Sequence, residues 1–150
     1  MERYGLIGKT LTHSFSPQYF KEKFEKEQID AVYEAYELAD ISEFPALLAQ
    51  YPDLKGLNVT IPYKEAVIPY LDAIDDTAQK IGAVNCIKIV GGRTIGYNTD
   101  IIGFEESLVP LLQPKHKKAL ILGDGGAAKA VKIALENLQI SYISVVRSAT

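Results

Sequence analysis

The sequence predicts an α/β protein in which a first α/β domain is followed by one βαβ unit that opens a second domain. Short apolar segments rich in β-forming residues alternate with helical segments along most of the chain. A hairpin signal, Gly91-Gly92 between two β-rich arms, interrupts this alternation. The pattern then starts again at Lys118 with an apolar strand, a glycine turn and an amphipathic helix.

The first elements are a strand and a helix. RYGLIG, residues 3–8, predicts a short buried strand that ends in glycine. Ser16 can cap the following helix, and Pro17 suits its first turn. Phe20 and Phe24 are four residues apart, so they share one face of that helix.

The next segments are assigned from their composition and their turn residues. In chain order we predict a strand at 31–38, a short helix at 41–50 that Pro45 interrupts early, a strand at 54–60 bounded by Gly56, two short helices at 63–71 and 75–82, the hairpin at 85–98 and a helix at 100–112.

The last part of the chain carries the βαβ unit. KALILG, residues 118–123, has no polar alternation, as expected of a strand covered on both faces of a parallel sheet. One such unit is less than a nucleotide-binding half requires. We therefore expect two domains, residues 1–103 and residues 104–150, with the second cut short. The alternative is a single-sheet fold that uses every strand.

Composition and charge limit the function. The 150 residues are 47% apolar and 23% charged, which is ordinary for a globular protein. A net charge of −3 provides no field toward nucleic acid or an anionic membrane, and the basic run at 115–118 is interpreted as a solvated turn. The single cysteine, Cys86, lies in an apolar run and fits a reducing compartment. We expect a cytoplasmic protein with an inert thiol, no metal site and no nucleic-acid or membrane partner.

Glycines lie between the strand and the helix of the βαβ unit. Gly123 permits a tight turn, and Gly125 and Gly126 let the backbone approach a pyrophosphate at the helix N-terminus. Ala127 and Ala128 are small enough to replace the usual third glycine. The pattern favours a dinucleotide site, and the alternative is a plain βα turn.

The residues around this loop bear on the cofactor. Arg147 and Ser148, at the end of the second strand, suit a 2′-phosphate, so NADP is favoured over NAD. Asp124 lies within the loop, and its carboxylate would repel a pyrophosphate unless it turns outward.

Four polar clusters fall at the ends of predicted strands or helices: HSFSP (13–17), NVTIPYK (58–64), GAVN (82–85) and YNTD (97–100). Ser14 and Ser16 offer hydroxyls for a carboxylate beside a helix N-terminus. Lys64 and Asp100 form an acid–base pair if the fold brings them together. Each cluster also has a structural interpretation as a helix cap or a turn. The residues alone indicate an oxidoreductase that acts on a small anion.

Five ordered motifs together resemble shikimate dehydrogenase, and the resemblance runs from Tyr4 to about Ser148. They are GLIGKTLTHSFSP (5–17), GLNVTIPYK (56–64), IGAVN (81–85), GYNTDIIGF (96–104) and GDGGAA (123–128). The resemblance implies a substrate-binding α/β domain, a Rossmann domain for NADP, and reversible reduction of 3-dehydroshikimate to shikimate on the route to chorismate and the aromatic amino acids.

The resemblance also implies roles for individual residues. Ser14 and Ser16 would hold the substrate carboxylate. Ring hydroxyls would be bound by three residues: Thr60, Asn85 and Asp100. Lys64 and Asp100 would form the catalytic pair, with Lys64 either the general acid or an electrostatic clamp. The cofactor would be bound by Gly123, Gly125, Gly126, Ala127, Arg147 and Ser148.

Departures from the family pattern leave alternatives open. Asp124 stands where the family commonly has alanine, and Val146 where it often has asparagine. The alternatives are an NAD-using quinate/shikimate dehydrogenase and a non-catalytic shikimate-binding module. Two features expected from the C-terminal part of the family have no counterpart in this sequence. One is a glutamine that contacts the substrate, and the other is the set of residues that surrounds the nicotinamide. We therefore expect shikimate binding but poor turnover, and the sequence leaves a homodimer open.

Overall fold

The computed structural model describes residues 1–146, and the chain forms two compact units, Met1–Tyr97 and Asn98–Thr150. The sequence placed the boundary between domains at 103/104. The helix that begins at Asp100 packs through Phe104 against the apolar cluster of the second unit. This packing accounts for the earlier boundary between the compact units.

The first unit alternates strands with short helices. Its strands are β1 (Glu2–Gly8), β2 (Ala31–Glu37), β3 (Leu54–Val59), β4 (Ala73–Ile74), β5 (Cys86–Val90) and β6 (Arg93–Tyr97). Its helices are α1 (Phe15–Glu27), α2 (Phe44–Gln50), α3 (Tyr63–Ala66) and α4 (Asp76–Ile81), with 3-10 turns at Ile41–Glu43 and Ile68–Tyr70.

Within the described residues, the strands of the first unit form one mixed sheet in the order β2-β1-β3-β5-β6-β4. β1 pairs in parallel with both β2 and β3, while β5 is antiparallel to β3 and to β6. The carboxyl ends of β1 and β3 therefore lie at one edge of the sheet, beside the start of β5.

The core of the first unit is apolar and well packed. Its largest fully buried side chains are Phe44, Ile7, Ile87, Val67 and Val84. They come from strands, helices and the segment before β5, so the sheet and its connections share one core. Burial of such side chains is the main stabilising contribution to a domain of this size.

Two details in the first unit differ from the sequence expectations. Gly56 lies inside β3 instead of bounding it, because it pairs with both β1 and β5; a Cβ there would lie 3.2 Å from the Ile87 carbonyl oxygen. Pro45 is in the first turn of α2, where its missing N–H costs no hydrogen bond, so it does not interrupt the helix. The hairpin is confirmed, with positive φ at Gly91 and Gly92.

The second unit contains α5 (Asp100–Leu108), a 3-10 turn at Val109–Leu111, β7 (Lys118–Leu122), α6 (Gly126–Asn137) and β8 (Ser141–Val145). β7 and β8 pair in parallel, as predicted for the βαβ unit.

One face of the β7–β8 pair carries exposed apolar side chains. Leu122 is 78% exposed and Ile143 is 68% exposed, whereas Ile121 on the other face is 7% exposed. The apolar run of residues 118–123 is typical of a strand covered on both faces, but within the described residues α5 and α6 cover only one side of the pair. Among residues 1–146, none of the helices has the length and apolar character to cross a membrane.

Candidate functional site

Main-chain hydrogen bonds bring the loops after β1 and β3 together with the segment before β5. The Thr60 amide donates to the Ile7 carbonyl oxygen at 3.0 Å, which extends the pairing of β1 with β3. The Val59 amide donates to the Asn85 carbonyl oxygen at 2.9 Å. Thr60 and Asn85 therefore lie at the same edge of the sheet, as their expected roles require.

Lys64 is fixed to the segment 82–85 by its own backbone. It lies in α3, and the Val84 amide donates to its carbonyl oxygen at 2.7 Å. The side chain of Lys64 is partly exposed, whereas Val84 is fully buried. The backbone of this lysine is thus fixed by a hydrogen bond, and the residue is partly exposed.

Two loops approach each other closely at Gly8. A Cβ there would lie 2.7 Å from Thr60 Cγ2 and 2.6 Å from Leu11 Cδ2, both nearer than real contacts allow. The chain that leaves β1 toward Ser14 and Ser16 therefore packs directly against Thr60. This contact joins the first two motifs.

The serine cluster opens α1 differently from the sequence expectation. The helix begins at Phe15 with Ser14 at the N-cap, so the prediction that Ser16 caps it is wrong. The Ser14 side chain makes no capping hydrogen bond. One reason is that Pro17, the third helical residue, has no N–H to offer. Ser14 and Ser16 both lie partly exposed in the first turn, beside unpaired helix amides.

Asp100 begins α5 in the second unit, as predicted, and its amide donates to Asn98 Oδ1 at 3.0 Å. Asn98 is buried, and so is Asn85 in the first unit. Buried amides of this kind are fixed by their hydrogen bonds. Lys64 and Asp100 belong to different compact units, and their pairing stays a prediction.

Two residues near the serines were not assigned a role from the sequence. Tyr33, in β2, donates its hydroxyl to Asn58 Oδ1 at 2.7 Å, and Asn58 Nδ2 lies 3.4 Å from the Asn85 carbonyl oxygen. Burial raises the pKa of Tyr33, and interaction with the Ser16 hydroxyl partly offsets that rise. Asn58 stands inside the NVTIPYK motif, but nothing in the sequence links it to Tyr33.

Cys86 lies beside this group, at the wall of a cavity of about 460 Å³ against β1, β3 and β5. Burial raises the pKa of its thiol. A raised pKa disfavours the thiolate, which is the reactive form. The interpretation of Cys86 as an unreactive thiol is therefore supported. Among residues 1–146, no group of His, Cys, Asp and Glu side chains is arranged to hold a metal ion.

The glycine loop of the second unit has the geometry of a βα turn. Gly123 adopts φ 117°, which side-chain-bearing residues rarely adopt, and its amide donates to the Val145 carbonyl oxygen at 2.9 Å. Gly125 is the N-cap of α6, so Gly126 and Ala127 are its first two residues. Their amides are among the N–H groups that a helix leaves unpaired, and these groups favour a bound anion.

Asp124 in this loop is paired. Its carboxylate contacts Lys132 Nζ of α6 at 2.5 Å. The hydrogen bond from Lys132 lowers the pKa of Asp124, and the same bond raises the pKa of Lys132. The carboxylate is thus turned to a cation along the helix, which reduces the repulsion expected from the sequence. Arg147 and Ser148 lie outside the described residues.

Comparison with known proteins agrees with these motifs. Residues 6–87 match the family model described as the shikimate dehydrogenase substrate binding domain. A relative from Aquifex aeolicus, named shikimate dehydrogenase (NADP(+)), is 44% identical over 135 residues, which are 88% of this chain and 50% of that protein. A relative of the same name from Methanosphaera stadtmanae is 41% identical over 143 residues, 94% of this chain and 50% of that protein.

A solved structure with a similar fold is the Thermus thermophilus shikimate 5-dehydrogenase in complex with NADP(H) and shikimate. Its TM-score is 0.88 with 35% identity, covering 99% of this chain and 57% of that one. The chain thus spans about half the length of the relatives that it matches. The prediction of a substrate-binding α/β domain followed by the start of a Rossmann domain is confirmed. The chain belongs to the shikimate dehydrogenase substrate-binding domain family.

Proposed function

We propose that this chain forms the substrate-binding part, and the first cofactor-binding elements, of an NADP-dependent shikimate dehydrogenase. The reaction is reversible reduction of 3-dehydroshikimate to shikimate, a step toward chorismate and the aromatic amino acids. The observation that carries the proposal is the convergence of Thr60, Lys64 and Asn85 at one edge of the sheet, joined by main-chain hydrogen bonds of 2.7–3.0 Å.

The ligand must carry an anionic group and several hydroxyls. Ser14 and Ser16 offer hydroxyl donors beside unpaired amides at the start of α1, a setting that favours a carboxylate. Thr60 and Asn85 can each donate to and accept from ring hydroxyls, and Asp100 can accept. Shikimate, a cyclohexene carboxylate with three hydroxyls, combines these two needs.

The catalytic step would use Lys64. NADPH, when bound, supplies the hydride to the ketone carbon. Negative charge then develops on the ketone oxygen, where the Lys64 ammonium stabilises it and donates a proton. Asp100 would orient the amine and bind the neighbouring hydroxyl. A lysine with a fixed backbone and a partly exposed side chain could act either as the proton donor or as an electrostatic clamp.

The cofactor would lie at the N-terminus of α6. The positive φ of Gly123 and the absence of side chains at Gly125 and Gly126 support close approach of a pyrophosphate. Ala127 would add a backbone amide. Arg147 and Ser148 would hold the 2′-phosphate, which favours NADP over NAD.

We also propose that the protein is cytoplasmic, because a single cysteine cannot form an internal disulfide and suits a reducing compartment. We further propose that it forms a homodimer. Support for self-association is the exposed apolar face of β7 and β8, where Leu122 and Ile143 lie. Sedimentation velocity over a range of concentrations tests this part. A single monomeric species throughout would overturn the dimer and leave the enzymatic proposal intact.

Calorimetric titration of the purified chain with shikimate at neutral pH, without cofactor, tests the proposed function. The matched control ligand is cyclohexene carboxylate, which keeps the ring and the anionic group and lacks the hydroxyls. We expect saturable binding of shikimate and at least about tenfold weaker binding of the control, because several hydroxyl hydrogen bonds are lost. No heat from a folded chain, or equal affinity for both ligands, contradicts the proposal.

A further inference from the structure

Tyr33 joins the two elements that carry the serine and NVTIPYK motifs. Its hydroxyl donates to Asn58 Oδ1 at 2.7 Å, at the end of β3. Its ring stacks on Phe20 of α1, with ring centroids 4.5 Å apart and an angle of 15° between the planes. Phe20 is one turn from the first turn of α1, where Ser14 and Ser16 lie.

The hydrogen bond from Tyr33 helps to fix the orientation of the Asn58 amide, together with the acceptor on the other side, the Asn85 carbonyl oxygen. An asparagine side chain presents an acceptor on one side and two N–H donors on the other, and a rotation exchanges them. With Oδ1 held by the tyrosine, Nδ2 faces the Asn85 carbonyl oxygen at 3.4 Å. The donors of Asn58 are thus directed toward the segment that carries Asn85, a residue expected to bind the substrate.

Burial makes this arrangement persistent. Tyr33 and Asn58 are both partly buried between α1 and the sheet. Burial disfavours the charged form of Tyr33 and raises its pKa, so the hydroxyl keeps its proton at neutral pH. The protonated hydroxyl of Tyr33 donates to Asn58 while the ring is held against Phe20, so the direction of this hydrogen bond is fixed.

We propose that Tyr33 is a positioning residue for substrate binding: it orients the Asn58 amide and holds the serine-bearing end of α1 against the end of β3. The proposal rests on the proposed function, since shikimate is the ligand whose binding it assists. Tyr33 acts through Asn58 and through α1, and it needs no contact with the ligand.

The test is a set of shikimate titrations by calorimetry on the full chain, with melting temperatures measured in parallel. Tyr33→Phe removes the hydroxyl and keeps the ring on Phe20. We expect about a fivefold increase in Kd, as for loss of one neutral hydrogen bond, with a small change in Tm. The matched control is Tyr36→Phe in the same strand, which removes a hydroxyl that donates to Glu34 at 2.8 Å, away from the serines. It should leave Kd unchanged.

A double-mutant cycle separates positioning from general stability. In an Asn58→Ala background, Tyr33→Phe should raise Kd by a smaller factor than it does alone, because the hydroxyl then has no amide to orient and only its interaction with Ser16 is lost. Additive effects of the two substitutions on Kd would overturn the role of Tyr33, as would an unchanged Kd in Tyr33→Phe alone. All titrations are made well below the lowest melting temperature of the set.

The wild-type titration keeps the two proposals distinguishable. Shikimate binding by the wild type with an unaffected Tyr33→Phe variant overturns the positioning role and leaves the proposed function standing. No binding by the folded wild type contradicts the proposed function for this chain, and with it the positioning of that ligand by Tyr33.

Discussion

The Val84 amide donates to the Lys64 carbonyl oxygen at 2.7 Å. This bond ties α3 to the segment before β5, so the lysine and Asn85 are positioned by the same stretch of backbone. The polar residues of this edge therefore depend on a buried frame, because Val84 is fully buried. Substitutions that change only the end of one of these polar side chains should therefore alter the chemistry of the site and leave its backbone in place.

Lys64→Met should separate catalysis from binding. Loss of the ammonium removes the stabilisation of the developing oxyanion, so we expect turnover to fall by at least about 100-fold while the shikimate Kd changes by less than about threefold. Because the chain spans half of the Aquifex relative, rates are measured on a chimaera that continues this chain with the rest of that protein. Lys80→Met, at an exposed lysine of α4, is the control. A loss of shikimate affinity with unchanged turnover would assign Lys64 to binding.

Ser14→Ala should weaken binding with little effect on stability. An N-cap serine normally contributes about 1 kcal/mol, but the Ser14 hydroxyl makes no capping bond. We expect the shikimate Kd to rise by about tenfold or more, since a hydrogen bond to a carboxylate is lost. Thermal unfolding and calorimetry measure the two effects.

The control for Ser14→Ala is Asp75→Ala. Asp75 caps α4 by accepting from the Ala78 amide at 2.8 Å. Its removal should lower stability by about 1 kcal/mol and leave shikimate binding unchanged. The opposite result, a stability loss for Ser14→Ala with unaltered affinity, would assign Ser14 to capping.

Much of the fold follows from local patterns, whereas the fine positions depend on tertiary contacts. Hydrophobic periodicity, turn glycines and apolar runs depend only on residues that are close in the sequence, so the strands, the hairpin and the βαβ unit could be predicted. Gly56 lies inside β3 because it pairs with β1 and β5, and no local signal encodes that pairing. Likewise, the hydrogen bond from Tyr33 to Asn58 joins residues 25 positions apart, which a motif search does not connect.

Gly8→Ala should destabilise the first unit and disturb Thr60. The added Cβ would lie 2.6–2.7 Å from the side chains of Leu11 and Thr60, so both must move, at a cost of about 1–3 kcal/mol. The matched control is Gly103→Ala in α5, where the added Cβ would meet nothing within 4 Å beyond its chain neighbours and the nearby backbone of its own helix, and the better helix propensity of alanine should stabilise by up to about 1 kcal/mol. Denaturant unfolding measures both. Equal stability of Gly8→Ala and wild type would contradict the contact.

The Asp72 carboxylate should contribute stability that is lost in acid. It accepts from the Thr94 amide at 2.7 Å and the Thr94 hydroxyl at 2.9 Å, and these bonds lower the pKa of Asp72 from its ordinary value of 3.8. A depressed pKa in the folded state means that the contribution is complete above pH 3.8 and lost as the pH falls through the lower, folded value.

Asp72→Asn tests this dependence. The free energy of unfolding of the variant should lie below that of the wild type at neutral pH, and the difference should shrink below pH 3.8. Glu106→Gln, at an exposed carboxylate of α5, controls for the loss of one negative charge. A difference that stays constant down to strong acid would show that the charge of Asp72 plays no part.

The pair of Asp124 and Lys132 should set the affinity for NADP. The carboxylate lies in the loop that would approach the pyrophosphate, and Lys132 compensates its charge. Asp124→Ala removes the negative charge and releases the lysine, so we expect NADP to bind about three- to tenfold more tightly at low ionic strength. Lys132→Met leaves the carboxylate uncompensated and should weaken binding by a similar factor. Calorimetry with NADP⁺ on the chimaera measures both, and Lys117→Met, at an exposed lysine before β7, is the control.

Because Lys132 lowers the pKa of Asp124, the carboxylate stays charged throughout the neutral range, and the effects should not vary there with pH. They should shrink as salt screens the charges. Unchanged affinity in both variants would place the pair outside the reach of the cofactor.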